Sequence, residues 1–341
     1  MSFVLNIEFT FDYELFFRQN KKSYDEILFD STNSIMDILD KHNIKATFFV
    51  DTLSYQKMME IGDTHYCSKM KEQCIDMLKR GHNPQLHIHA HWISSEYDKE
   101  RNVWSNDYKK YRIQDYPNEE INAALDNGIS FLNDCAEKAQ VDYRCNTFRA
   151  GGLILQPEKE LIPMLLDKGI KFDSSIAPNA YSKNAYAEYD YRKCPKKLNW
   201  YISQEKGCCV ECEKKENSLF EIPVATVRNS FFRYMFLKRP IRISNTYPGG
   251  IGFLRPHQKN SFFTTVKRRL FGYSWVSLDT RHANVIMSDL NHIYKKYKCD
   301  SNHTRIALIG HPKMFDKRNE ENLDLLITLL KKNNKYICRE V

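Results

Sequence analysis

Three histidines alternate through the stretch "LHIHAHW": His87, His89 and His91 stand two residues apart, separated by Ile88 and Ala90 and flanked by Leu86 and Trp92. In an extended chain successive side chains point to opposite faces, so this spacing predicts a strand with three imidazoles on one face and an apolar surface on the other. Buried imidazoles need partners for their ring nitrogens, and a divalent metal is an economical one. Histidine with a carboxylate is a familiar zinc set that leaves one position open for water. Carboxylates of the right kind stand near the N-terminus: in "FTFDYELF", Asp12 and Glu14 share one face, opposite Phe9, Phe11 and Tyr13. Two anions on one wall repel unless a cation, a proton or solvent lies between them.

Two more strand-like stretches end in residues that could do chemistry. "TFRAGG" carries Arg149, with Gly151 and Gly152 allowing close backbone approach to a ligand, and "IALIGHP" ends on His311 before Pro312. Asp12, Glu14, His91, Arg149 and His311 then all fall at the carboxyl ends of predicted parallel strands, the edge where α/β barrels build active sites.

The elements that must position these residues alternate along most of the chain, which predicts an α/β fold with a largely parallel sheet. Helices are expected at 31–43, 68–81, 118–139, in "PEKELIPMLLDKG", near 285–298 and in "EENLDLLITLLKK"; strands in "IKATFFV", "PQLHIHAHW", "YRCNTFRAGG", "IKFDSS", "SLFEIPVATV", "RIALIGHP" and "YIC". Regularity lapses over 177–218, which reads as an insertion in a single domain spanning 1–341, and 228–282 is ambiguous.

Composition fits a folded protein: of 341 residues 42% are hydrophobic and 28% charged, with only 12 Gly and 11 Pro, which excludes a disordered chain. A net charge of +8 suits an anionic substrate or surface. No nucleic-acid signature accompanies it, so no nucleic-acid partner is expected. The segment "RNSFFRYMFLKRPIR", 228–242, interleaves basic and aromatic residues and offers peripheral contact with an anionic membrane. "MSFVLNIEF" lacks the marks of a secretory signal, and a cytoplasmic location is the expectation. The ten cysteines are scattered; Cys209 and Cys212, with Cys194 and Cys208 nearby, have half the spacing of a zinc clip and no second pair.

Taken together, "TFDYE", "HIHAH", "RAGG" and the closing His-Pro resemble, in the same order, the motifs of the polysaccharide deacetylases of the NodB-homology type, carbohydrate esterase family 4. The resemblance implies a distorted, NodB-like (β/α) barrel of about seven strands. It implies a divalent metal, Zn2+, held by Glu14, His87 and His91, with Asp12 as base held by Arg149 and His311 as acid. It implies a metal-dependent carbohydrate N-deacetylase acting on an amino sugar; the expected cytoplasmic location and the basic segment point to an intracellular glycan precursor, nucleotide- or lipid-linked, as that substrate. The fit departs from the family where Tyr13 separates the two acids, which leaves open whether Asp12 is base or ligand. It departs again where Gly-Gly replaces Pro-Tyr after Arg149, so that backbone N–H groups near Ala150 must serve the oxyanion. His89 inherits no role. A sugar-binding protein on the same barrel that has lost hydrolysis is the alternative. Oligomeric state is not legible.

Overall fold

The computed structural model describes residues 3–16, 19–101, 103–107, 109–184, 186–230, 250–251, 272–297 and 305–339. Its first strand, β1 (Leu5–Tyr13), keeps the expected alternation and buries both faces, with Leu5, Ile7, Phe9 and Phe11 on one and Glu8, Thr10 and Asp12 on the other. Burial on both faces is the condition of a parallel strand covered by helices. Around it stand β2 (Thr47–Asp51), β3 (Asn83–Ile88), β4 (Thr147–Ala150), β5 (Phe172–Asp173), β6 (Trp200–Ser203), β7 (Gly207–Cys212), β8 (Ser218–Glu221), β9 (Arg305–Gly310) and β10 (Tyr336–Arg339). Their hydrogen-bonded order is β7-β6-β8-β5-β4-β3-β2-β1-β9, with β10 also on β1.

β1 to β5, β8 and β9 pair in parallel throughout. The two ends of this run are drawn together. Val224, just past β8, forms a parallel bridge with Ala307, and Ser277 forms one with Ile309. The Asn199 side chain adds bonds to Glu221 O, Arg305 O and Arg305 N at 3.2, 2.9 and 2.9 Å. The curled sheet is the distorted (β/α) barrel that the sequence led us to expect, with its carboxyl edges converging.

The covering helices are α1 (Ser31–Lys41), α2 (Thr52–Ile61), α3 (Thr64–Lys79), α4 (Asn118–Ala139), α5 (Leu161–Asp167), α6 (Ala283–Tyr297) and α7 (Lys317–Lys331). α4 has the expected bounds because Ile121, Leu125, Leu132 and Cys135 recur at helical spacing and are buried against the sheet. α2 was not expected. It is set off from α3 by Gly62, at φ +79°, and by Asp63, whose side chain caps α3 through Tyr66 N.

Two expectations are corrected. The strand through the histidines ends at Ile88, and Ala90–Trp92 form a single 3-10 turn, so His91 does not share a strand face with His87. Asp51 causes this: its carboxylate accepts from His89 N at 3.2 Å and from Trp92 Nε1 at 2.8 Å, folding the chain back at the strand end. The stretch 177–218 is also more ordered than its composition suggests. It holds one hairpin, Tyr181–Lys183 with Glu188–Asp190, and a second, β6–β7, which extends the main sheet in antiparallel fashion beside β8. Of the basic and aromatic segment, 231–249 and 252–271 lie outside the described residues, and with them most of the stretch expected to touch a membrane. Among the described residues no helix is long and apolar enough to cross one.

Candidate metal and catalytic centre

Arg149, in β4, is fully buried and organises one half of the carboxyl edge. Its Nη1 donates to Asp12 Oδ1 at 2.5 Å, its Nη2 to Thr10 Oγ1 at 3.0 Å and to Ser174 Oγ at 2.8 Å, and its Nε to Ser174 O at 2.9 Å. The guanidinium also lies 3.9 Å from the centre of the Phe49 ring. Burial disfavours charge on Asp12, yet Arg149, with His87 and His311, holds its carboxyl below the usual range. Asp12 is thus an ionised carboxylate with a fixed orientation, the state a general base needs.

His87 hydrogen-bonds through Nδ1 to the main-chain carbonyl of Arg149 at 2.7 Å. A carbonyl only accepts, so Nδ1 carries the proton and Nε2 of the neutral ring presents its lone pair. That lone pair faces Glu14 Oε2 at 3.3 Å. Two acceptors so placed require a proton or a cation between them. Burial lowers the basicity of His87, but Glu14 and Asp12 outweigh it and raise the imidazole above its ordinary value.

His89 Nε2 also contacts Glu14 Oε2. Glu14, His87 and His89, all buried, form the group whose ligand atoms lie within 4.8 Å of one another. One carboxylate and two imidazoles, one with its Nδ1 anchored to a backbone carbonyl, match the donor chemistry of a zinc centre, and the residues present fit a divalent cation. His91 lies outside this group. Its ring packs against Trp92 and, nearly parallel, against Tyr111, 6.1 Å between centres, and burial with the neighbouring His89 holds it well below the usual histidine value.

His311, immediately after β9, places Nε2 3.7 Å from Asp12 Oδ2 and 3.8 Å from Glu14 Oε1. Its Nδ1 is 2.6 Å from Asp279 Oδ2, and Asp279 is itself held by Ser277 Oγ. Burial alone would lower His311; Asp279, Asp12 and Glu14 raise it. A proton donor therefore stands on the far side of Asp12 from Arg149.

Asp12, Glu14, His87, Arg149 and His311 are brought together at one edge. Sequence reasoning missed Lys313 and Asp279 and gave His89 no role. Lys313, buried, sits in the turn Pro312–Met314 and donates to Glu14 Oε1 at 2.7 Å and to Leu15 O at 2.8 Å. Burial opposes charge on Glu14, but His89 and Lys313 hold its carboxyl well below the ordinary value. The only signal for Lys313 was its place directly after His311-Pro312.

The glycines after Arg149 face protein groups. A Cβ on Gly151 would stand 2.6 Å from Ile88 O and 2.7 Å from His89 Nδ1, and Gly152, at φ +64°, backs onto Tyr111. Ala150 N is not free for an oxyanion, because it donates to Ser175 Oγ at 2.8 Å. Ser175 Oγ in turn donates to Asp173 at 2.7 Å; Asp173 and its register partner Glu221 are both fully buried.

The family model described as polysaccharide deacetylase matches residues 8–149. No curated protein sequence matches the chain. Among solved structures, a Mycobacterium smegmatis protein assigned as a polysaccharide deacetylase is 13% identical, covers 100% of this chain and 88% of its own, and has a TM-score of 0.48. The polysaccharide deacetylase Bc1974 of Bacillus cereus is 9% identical, with coverage of 99% and 92% and a TM-score of 0.40. BA3943 of Bacillus anthracis, described as a pseudoenzyme, is 10% identical, with coverage of 99% and 64% and a TM-score of 0.39.

Proposed function

We propose, from the match of residues 8–149 to the polysaccharide deacetylase family model, that this protein is a metal-dependent hydrolase that removes an N-acetyl or similar acyl group from an amino sugar. The observation that carries the reading is the meeting of Glu14, His87 and His89 with two oriented proton-transfer pairs, Asp12–Arg149 and Asp279–His311. Glu14, His87 and His89 would hold a divalent cation, which would supply Lewis-acid polarisation of the scissile carbonyl and acidify water. Asp12, kept ionised by Arg149, takes the proton from the attacking water. His311, kept protonated to higher pH by Asp279, delivers a proton through Nε2 to the amide nitrogen as the C–N bond breaks, leaving a free amine and a carboxylic acid. Lys313 places a positive charge 2.7 Å from Glu14 Oε1 and so helps to keep that carboxylate ionised and oriented.

The substrate we propose is an intracellular glycan precursor bearing a nucleotide or lipid anion, met in the cytoplasm; the net charge of +8 supports an anionic partner. The test is metal analysis of the purified chain combined with acetate release on a panel of N-acetylated nucleotide sugars, lipid-linked sugars and finished polymer. Release that requires zinc, and falls by about 10² or more in Asp12→Asn with metal content unchanged, is the expected result. Release from finished polymer alone would contradict the precursor.

One observation favours the second reading, a sugar-binding protein without hydrolysis. Lys313 already gives Glu14 a cation at 2.7 Å. Purified protein that takes up no zinc, binds amino sugars and releases no acetate from any member of the panel would establish it.

A further inference from the structure

Away from the barrel mouth, three sulfurs meet at the junction of the two hairpins. Cys194 Sγ lies 3.4 Å from Cys209 Sγ, and Cys208 Sγ lies 3.9 Å from the same atom. Cys194 and Cys209 are partly exposed, whereas Cys208 is buried. Cys209 Sγ also accepts from Gln156 Nε2 at 3.8 Å and donates to Asp190 O at 3.5 Å. Asp190 N donates to Gln156 Oε1 at 2.7 Å, so the cluster is fastened to the loop that follows Arg149.

We propose that Cys209 and Cys194 form an oxidation site, with Cys209 the nucleophile toward a hydroperoxide and Cys194 the thiol that closes the disulfide. The separation supports it, since the two sulfurs have little distance to cover before they reach bonding range. So does the pairing: contact with the Cys194 and Cys208 thiols pulls the Cys209 thiol well below its ordinary value, while both of theirs are raised. In the first step the Cys209 sulfur takes the terminal oxygen of the hydroperoxide as the O–O bond breaks, giving a sulfenic acid and an alcohol, or water from hydrogen peroxide. In the second, Cys194 sulfur attacks Cys209 sulfur, the S–O bond breaks, and the hydroxide leaves as water with the Cys194 proton. Two thiols and one hydroperoxide become one disulfide, one alcohol and one water. A zinc clip is the less suited use of these residues: among the described residues the sole group with three ligand atoms mutually within 4.8 Å is Glu14, His87 and His89.

The test is peptide mapping of the reduced full chain after brief treatment with hydrogen peroxide and quenching with iodoacetamide. A Cys194–Cys209 linked peptide that dithiothreitol reverses is expected in the wild type and in Cys208→Ser. Cys194→Ser should instead leave a Cys209 sulfenic acid that dimedone traps. Without oxidant, at pH 6, Cys209 should alkylate about tenfold or more faster than Cys212 on the same strand. Equal alkylation of the two, or peroxide-treated wild type with no such link, would overturn the proposal. So would protection of all three thiols by stoichiometric zinc, reversed by chelation, which would make the cluster a metal clip. The wild-type arms stand whether or not a variant folds.

Discussion

Lys313 and Glu14 form a buried ion pair, Nζ to Oε1 2.7 Å, although 299 positions separate them in the chain. Removing Lys313 takes away one of the groups, with His89, that compensate the buried Glu14 charge, at a cost of up to about 3–5 kcal/mol. Lys313→Met should lose about that much stability in metal-free protein, measured by urea unfolding, and zinc should restore most of the loss by giving Glu14 another cation. A change of only about 0.5 kcal/mol, the size typical of a surface site, would show that the pair contributes little.

His89 and His91 make opposite predictions for metal binding. Zinc competition against a chromophoric chelator should show His89→Ala weakened by more than about a hundredfold, beyond the usual effect of an outer residue, and His91→Ala by less than about tenfold. The reverse ranking would return the ligand role to His91 and leave His89 as packing.

Gly151 is where a single methyl group should reach the centre. Its Cβ would stand 2.6 Å from Ile88 O and 2.7 Å from His89 Nδ1, so either the backbone or the imidazole must move. Gly151→Ala is expected to cost about 1–3 kcal/mol by calorimetry and to weaken zinc binding as well. Gly169→Ala is the control: unlike Gly151 it has a positive φ, +81°, and open space around it, so it should lose some stability with zinc affinity unchanged.

Glu221 and Asp173 predict a pH dependence. Burial raises both carboxyls, and the hydrogen bond between them adds to the shift on Glu221. A carboxyl raised in the folded state contributes stability that is complete below its unfolded value and is lost as pH rises through the folded one. Urea midpoints should therefore decline from pH 5 upward more steeply in the wild type than in Glu221→Gln, which has no proton to lose. Parallel curves would mean that the pair does not share a proton.

Much of this centre could be read from particular residues before any coordinates. Alternation in "FTFDYELF" put Asp12 and Glu14 on one wall, and they are there because β1 is a regular parallel strand. Arg149 and His311 were legible for the same reason, each standing at a strand end. The histidines misled because period-two spacing holds only while a strand continues, and a side chain 38 positions away, Asp51, ends this one. Lys313 was hidden by the length of its side chain and Asp279 by its irregular surroundings; no local pattern encodes a partner across the barrel. Residues 177–218 looked shapeless because their strands are short and one hairpin lies outside the main sheet.

Arg149 reaches Asp12 with its side chain and His87 with its main chain. The two attachments are separable by substitution, since every residue has the carbonyl and only arginine has the fork. On the proposed function, drift at this single codon would leave the imidazole anchored while the acid loses its restraint, yielding a protein able to hold a cation yet no longer able to turn over. An enzyme and a lectin-like descendant would then stand one mutational step apart.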